Sequence, residues 1–571
     1  MKTFINVAQM KLASLKEGQF VETGGYYTKG DAGQAKYLIV AAQAADGYGD
    51  HTLANGTVAV LQLINNKINV EQFGTIVSII GDSAGVEATK ATQNTLSMRA
   101  AVRHAQDTGL REINAGAGVF KYNGLQLAYH SVNAPDLNPN KKAQRIKLTG
   151  VGQMDDGEAL EFAKSGEYEE FRTVFESVDG SPAVTAKTDL TQLPIRGLEI
   201  EQISLVAECA GQGVIEFDKV HTNAALSFVT IVQKSGSGHG VRWHNSYMYS
   251  VKNVFGINVA DTVASTSLGM ELKNPTVAGG MIDLTQVTFD SFGVNYVFGE
   301  RNFSNPAEII SGITTNGVQG LRGITNFEYC KGCISSSGNI RSEQASVKGI
   351  RFFNFCRDIT LTNIRNYNPT ATVADIEFGV QTDTADKKNA HINVCVLGGQ
   401  ADVHNAGIVR WSSLDSEGGC VKDFRLFQAN GTGTGTGIDG KGSSSNGFTL
   451  DLVLSSSLTT EATGTGLYSA IFTTSEKITR REIKSVVQLA SAATLNIPDT
   501  GNAFEITGST TITDIQPIVD GMELILYNSS ATITDGGNLK LASSYVPTIY
   551  SILVLEGRGG NWREKTRSLN T

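Results

Sequence analysis

Proline, charge and cysteine are all scarce in this chain. Of 571 residues only 10 are Pro, and charged residues make up 18%, below the quarter usual for soluble domains. Gly, by contrast, reaches 62 residues, so uncharged Ser, Thr, Asn and Gln must cover much of the surface. That mixture excludes a long helical protein, because these residues are poor helix formers, and fits a β-rich chain with many tight turns. No stretch approaches 18 consecutive apolar residues, which excludes a membrane-spanning helix and predicts no membrane insertion. No long basic run occurs and the net charge is −9, which argues against a nucleic-acid partner. The opening "MKTFINVAQMKLASLKEG" lacks the apolar core of a signal peptide, so work outside a cell would need a route other than secretion.

The six cysteines stand at 209, 330, 333, 356, 395 and 420. "CKGC" (330–333) has no second CxxC, and no His pair sits at zinc-finger spacing. Cys330–Cys356 and Cys395–Cys420 are separated by about one coil length, which predicts small buried residues stacked between successive coils. HExxH, EF-hand and calcium-repeat motifs are missing too, so neither metal nor cofactor is expected. The Gly-rich run 430–447 lacks the Lys-Ser/Thr and helix of a phosphate-binding loop.

What the chain does have is periodicity. Residues 1–65 alternate β-like runs with Gly-rich turns. Residues 66–111 hold a linker and an amphipathic helix at about 90–108, with Met98, Ala101, Val102 and Ala105 at helical spacing and Gly109 as its stop; it is the one helix of useful length that the pattern predicts. From 112 to 455 short apolar runs recur. "IEFD" (215–218), "RWHN" (242–245), "ELKN" (271–274), "RFFN" (351–354), "IEFG" (376–379) and "VRWS" (409–412) each set one large apolar residue in a polar frame. Aligning Glu216, Arg242, Glu271, Arg351, Glu377 and Arg410 gives steps of 26, 29, 80, 26 and 33, the step of 80 being three coils. A period in the twenties with strand and turn content marks a solenoid. Strand alternation then points Phe217, Trp243, Leu272, Phe352, Phe378 and Trp411 inward and the charged column outward into solvent, with signs alternating along the aligned residues although the alignment skips rungs. Residues 456–483 connect this region to a last β segment, 484–571, which reads as too short and flat to stand firmly alone and suited to holding copies of the chain together.

Three segments carry a family resemblance. "GYYTKGDAGQAKYLIV" with "ADGYGDHTLANGTVAVLQL" (45–63) is similar to a module near the start of many phage tail proteins. The helix at 90–108 followed by "EINAGAGVFKYNG" and "RIKLTGVG" resembles a cap helix and the first rungs of a β-helix. "ITGSTTITDI", "GMELILYNSSATITDGGNLKL" and "GGNWREKTR" resemble a C-terminal module of such spikes. The chain thus resembles bacteriophage tailspikes of the pectate-lyase-like kind. Two segments depart from the family pattern: "FGTIVSIIGDSAGVEATKAT" replaces a "GAKGDGVTDDT" type approach to the helix, and Ala32-Gly33-Gln34-Ala35 stands where Gly-Gly-Gly-Ala is common.

The resemblance implies a mainly β fold, a right-handed single-stranded parallel β-helix with a small N-terminal module, a cap helix and a C-terminal β domain. It also implies a homotrimer fixed to a phage tail or baseplate protein through residues 1–65, acting at the host surface on capsule, O-antigen or exopolysaccharide. Such a protein leaves its host by lysis and needs no signal peptide.

Hydrolysis of a glycosidic bond usually takes two carboxylates, about 5–5.5 Å apart for retention and about 6.5–9.5 Å for inversion. Glu216 and Asp218, which share one strand face, Glu271 two aligned rungs away, and Asp290 in the turn "TFDSFG" are the candidates for acid and base. β-Elimination at a uronate instead needs a cation and a base: Arg242 or Lys273 for the first, His244 or Tyr247 for the second. Glu300, Arg301 and Glu328 are further candidates for substrate contacts in mid-helix. Of the two, hydrolysis is the stronger expectation. A spike that binds without cutting, or one with a purely structural role, is also compatible with the same sequence.

Overall fold

The computed structural model describes residues 1–298 apart from 80–81, 131–145, 167–170, 189–194, 265 and 274–278, and residues 487–568 apart from 499–501, 529 and 549–550. Between Ile310 and Glu482 it describes chiefly the backbones of strands. The chain divides into two compact units, Met1–Thr465 with Phe472–Ile478, and Gly466–Ile471 with Thr479–Thr571.

The first unit begins with a five-stranded sheet containing the strands Lys2–Phe4, Phe20–Thr23, Ala35–Val40, His51–Thr52 and Val58–Gln62. The "GYYTKGD" segment is a turn closed by Asp31, whose carboxylate accepts from the amides of Tyr26, Tyr27, Thr28 and Gly33 at 2.7–3.0 Å. Burial would raise the Asp31 pKa, but these four amide donors overcome it and lower it. Ala32 sits there at φ 64, in the left-handed region that explains why glycine is common at this place in related patterns.

The rest of the unit is a parallel β-helix. Twelve strands, from Leu125–His130 to Thr460–Gly464, pair in parallel, each with the next coil's equivalent. Between them each coil gives a longer strand to a second parallel ladder, such as Glu199–Ala207, Ala224–Gln233, Tyr249–Asn258 and Gly279–Asp290. Pairing in these strands skips Gln202, Phe228, Asn253 and Gln286, which face one another across the rungs with φ of 54, 53, 51 and 52. A column of left-handed residues therefore bends every rung at one corner and divides the ladder into two straight faces.

The register inferred from the sequence is the observed one. Glu216, Arg242, Glu271, Val297, Asn326, Arg351, Glu377 and Arg410 lie opposite one another in turn, so the step of 80 does contain three rungs. Phe217, Trp243, Leu272 and Phe298 are buried beside them. Trp243 stacks on Tyr249 at 3.9 Å between centroids and meets the edge of Phe217 at 5.0 Å. Each such side chain removed from water contributes about 1.5–3 kcal/mol. Cys395 does lie opposite Cys420 on the next rung, though Cys395 is half-exposed rather than buried.

The cap helix spans Ala84–Thr108, six residues longer at its start than the apolar spacing indicates, and ends at Gly109 with φ 75. Its buried face is polar near the start. Asn94, fully buried, donates to the carbonyls of Ile76 and Lys121 at 2.8 Å and accepts from Ile76 N at 2.6 Å, while Thr95 Oγ1 accepts from Asn123 N. These side chains satisfy backbone groups that the first rung would otherwise leave unpaired. Residues 84–89 bury no side chain, so hydrophobic periodicity begins only where the helix meets the first rung.

A second helix, Asp156–Ser165, was not expected. It has a capping box, with Asp155 accepting from Glu158 N and Glu158 accepting from Asp155 N, both at 2.8 Å, and it stops at Gly166. The D-x-x-E spacing and the following glycine were legible signals.

The second unit is a β domain around its own core, which includes Phe504, Leu524, Leu526, Leu553, Leu555, Tyr545 and Trp562. The expectation of a flat, weakly supported segment is corrected by this core: inward residues from several strands and from the intervening turns all meet in it.

Candidate functional site

Alternation puts two columns on the outer side of the twelve-stranded sheet. One holds Thr185, Glu216, Arg242, Glu271 and Val297; the other, two residues on, holds Asp218, His244 and Lys273. Strands about 4.8 Å apart bring these side chains within reach across rungs.

Arg242 joins two carboxylates. Its Nε donates to Glu271 Oε2 at 2.9 Å and its Nη1 to Glu216 Oε1 at 3.2 Å. Glu271 Oε2 also meets His244 Nε2 at 2.8 Å, and its Oε1 lies 3.1 Å from Lys273 Nζ. Glu216 Oε1 accepts from Gly213 N at 2.5 Å, and Oε2 lies 3.8 Å from Lys187 Nζ. Both carboxylates are only 7% exposed. The expected solvated ladder is therefore corrected here: Arg242 lies between the two carboxylates, with Lys187 beyond Glu216 and with His244 and Lys273 beside Glu271.

Burial alone would push Glu271 up, but the His244 hydrogen bond and the nearby Lys273 and Arg242 charges win and hold its carboxyl below the usual range. Arg242 loses something to burial and regains more from Glu216 and Glu271, which raise its pKa. Glu271 is thus a permanent anion at neutral pH. It cannot donate a proton, but it can fix the His244 ring through Nε2. Among the described residues no hydrogen bond occupies His244 Nδ1.

The structure thus assembles Glu216, Arg242, His244, Glu271 and Lys273 into one network. Asp218 borders it, tied to Asn245 Nδ2 at 2.7 Å. Tyr247 stands aside, its ring 4.1 Å from that of His221. Asp290 is corrected from a turn to the last residue of the strand Gly279–Asp290, opposite Ile257 on the other ladder. Glu328 follows Phe327 as His244 follows Trp243, which gives it the equivalent register position on its own strand. Glu300 and Arg301 lie outside the described residues.

Sequence reasoning missed Lys187 and His239. Lys187 follows Ala186, the partner of Phe217, in the strand Val184–Thr188 of the preceding rung, so extending the register by one strand would have found it. His239 Nδ1 accepts from Leu268 N at 3.0 Å; burial, with help from Arg242, lowers its pKa to about 4, so it stays neutral. The nearby Cys209 thiol is pushed up to about 11 by burial, which makes it a poor nucleophile.

No protein-family model matches the sequence, and no curated protein does. Solved structures similar to it include a tailspike protein of Acinetobacter baumannii bacteriophage Fri1, described as a capsular polysaccharide depolymerase (12% identity, 85% of this chain and 77% of that one, TM-score 0.43). They also include a tailspike of Acinetobacter phage vb_AbaP_AS12 (11% identity, 98% and 90%, TM-score 0.44). A family 28 exopolygalacturonase of Yersinia enterocolitica is a third (13% identity, 76% and 84%, TM-score 0.41).

Proposed function

We propose that this chain is a bacteriophage tailspike that lays a bacterial surface polysaccharide along the outer face of its β-helix and cleaves it. The N-terminal module would attach the protein to the virion and three copies would assemble, as the sequence resemblance implies. The observation that carries the proposal is the convergence of Arg242, His244, Glu271 and Lys273 on adjacent rungs, with His244 Nε2 held by an ionised Glu271.

This arrangement suits β-elimination at a uronate better than hydrolysis. The Arg242 and Lys273 charges would stabilise the substrate carboxylate, and His244, oriented by Glu271, would take the proton next to it. The bond to the leaving sugar oxygen then breaks, that oxygen takes up a proton from His244 or from water, and an unsaturated uronate remains. Hydrolysis is the second reading, favoured by Glu216 and Glu271 lying two rungs apart. It needs one carboxyl that is protonated near neutral pH, and Glu271 is unfit for that role.

The test is to incubate the purified protein with host surface polysaccharide and follow reducing ends together with ultraviolet absorbance of unsaturated uronate. Both signals rising together support elimination. Reducing ends alone point to hydrolysis. Neither signal, on a polysaccharide that the protein binds, leaves a receptor-binding spike and refutes cleavage.

A further inference from the structure

A second cluster of charge lies on the other ladder, near the cap helix. Lys121 and Glu176 are register partners on the strands Gly118–Tyr122 and Thr173–Ser177. Lys121 is salt-bridged to Glu87, in the first turn of the cap helix, and lies 3.9 Å from Glu176 Oε2. Lys234 Nζ donates to Glu176 Oε1 at 2.6 Å and sits 5.4 Å from the centre of the Phe162 ring. The helix Asp156–Ser165 is fastened over this face. Phe162 and Ala159 pack on Val119, Val174, Val206, Val232 and Ile257, and Met154, just ahead of the helix, accepts from Thr230 Oγ1 and donates to Ser204 Oγ.

Between the two helices and the ladder a cavity of about 210 Å³ remains, lined by Glu87, Val119, Lys121, Phe162, Glu176 and Lys234 among others. That volume holds about seven waters. Its wall has an aromatic and aliphatic side and a polar side on which negative and positive groups alternate as Glu87, Lys121, Glu176, Lys234. The four charges cancel. An ionic ligand would leave one of them uncompensated. A neutral polyhydroxylated ring would not: its hydroxyls donate to carboxylates and accept from ammoniums, while its C–H face rests on the accessible apolar lining of Ile79 and Ala163.

We propose that this cavity is a carbohydrate-binding subsite for one neutral pyranose unit, separate from the Arg242–Glu271 network. The choice of a sugar as ligand rests on the polysaccharide proposal above; the cavity and its charge pattern do not.

The test is ligand-observed magnetic resonance on the full chain with D-glucose, D-galactose, N-acetyl-D-glucosamine and D-glucuronate as probes. At least one neutral sugar should bind, and Ala163→Phe, which fills the cavity without removing a charge, should weaken that binding by about tenfold or more while leaving any glucuronate binding at the Arg242 network as it is. Glu87→Gln, at the more exposed rim, should weaken it roughly threefold and guards against a fold defect in the first variant. The proposal is overturned if no neutral sugar binds, or if both cavity variants bind the neutral sugar as the parent does. Polymer cleavage without monosaccharide binding overturns this subsite alone; sugar binding lost in Ala163→Phe, with no polymer cleavage, overturns only the cleavage proposal.

Discussion

Replacing Arg242 by Met keeps the side-chain stem over the sheet and deletes the cation between two carboxylates that are each 7% exposed. Removing one partner from a fully buried ion pair costs about 3–5 kcal/mol, because the remaining charge is left uncompensated. Here the loss is smaller. Glu271 keeps Lys273 and His244, and Glu216 keeps the Gly213 amide and a distant Lys187. The expected cost at neutral pH is therefore about 2–3 kcal/mol. The sign of the pH effect follows from Glu271, whose folded pKa lies below its unfolded value. Its contribution to stability is present above the unfolded value, about 4.3, and is lost as pH falls through the lower folded value. Without Arg242 the folded value rises towards the unfolded one, so the variant's deficit is largest at neutral pH and narrows in acid. Urea unfolding at pH 7 and at a pH well below 4 measures both. A deficit below about 0.5 kcal/mol at pH 7, or one that widens in acid, would refute the reasoning.

Two further outcomes follow from packing and backbone geometry. Trp243→Ala removes a fully buried ring stacked on Tyr249 and should destabilise the β-helix by about 3–5 kcal/mol, read by urea unfolding followed by far-ultraviolet dichroism. Ala32→Gly relieves a left-handed alanine at φ 64 and should stabilise the Asp31 turn by about 0.5–1 kcal/mol, seen as slower hydrogen exchange at the Tyr27 and Thr28 amides; faster exchange would mean that the turn carries no such strain.

The rung register was legible because most coils place one large apolar residue, such as Phe217, Trp243 or Leu272, next to a charge; the rungs of Val297 and Asn326, which carry none, are the ones that spacing skipped. The start of the cap helix was hidden because residues 84–89 bury no side chain and so carry no apolar spacing. The helix Asp156–Ser165 was overlooked although Asp155, Glu158 and Gly166 announce its ends. The candidate residues Glu216, Arg242, His244, Glu271 and Lys273 could be placed in their columns from spacing alone. That the two glutamates are covered, and that Glu271 is held ionised, could not: both depend on how long side chains fold across neighbouring rungs. Asp290 went astray because "TFDSFG" reads as a turn, whereas the strand runs through Asp290 before turning at Ser291, whose φ is 61.

The central claim is that the Arg242–Glu271 network with His244 acts on a bound polysaccharide. Its most direct test is the rate at which His244→Asn releases unsaturated uronate from host surface polysaccharide, measured beside its affinity for the same polymer. The account predicts a loss of about 100-fold or more in rate with affinity changed only a few-fold. Turnover equal to the parent's would contradict it and move the site elsewhere on the helix.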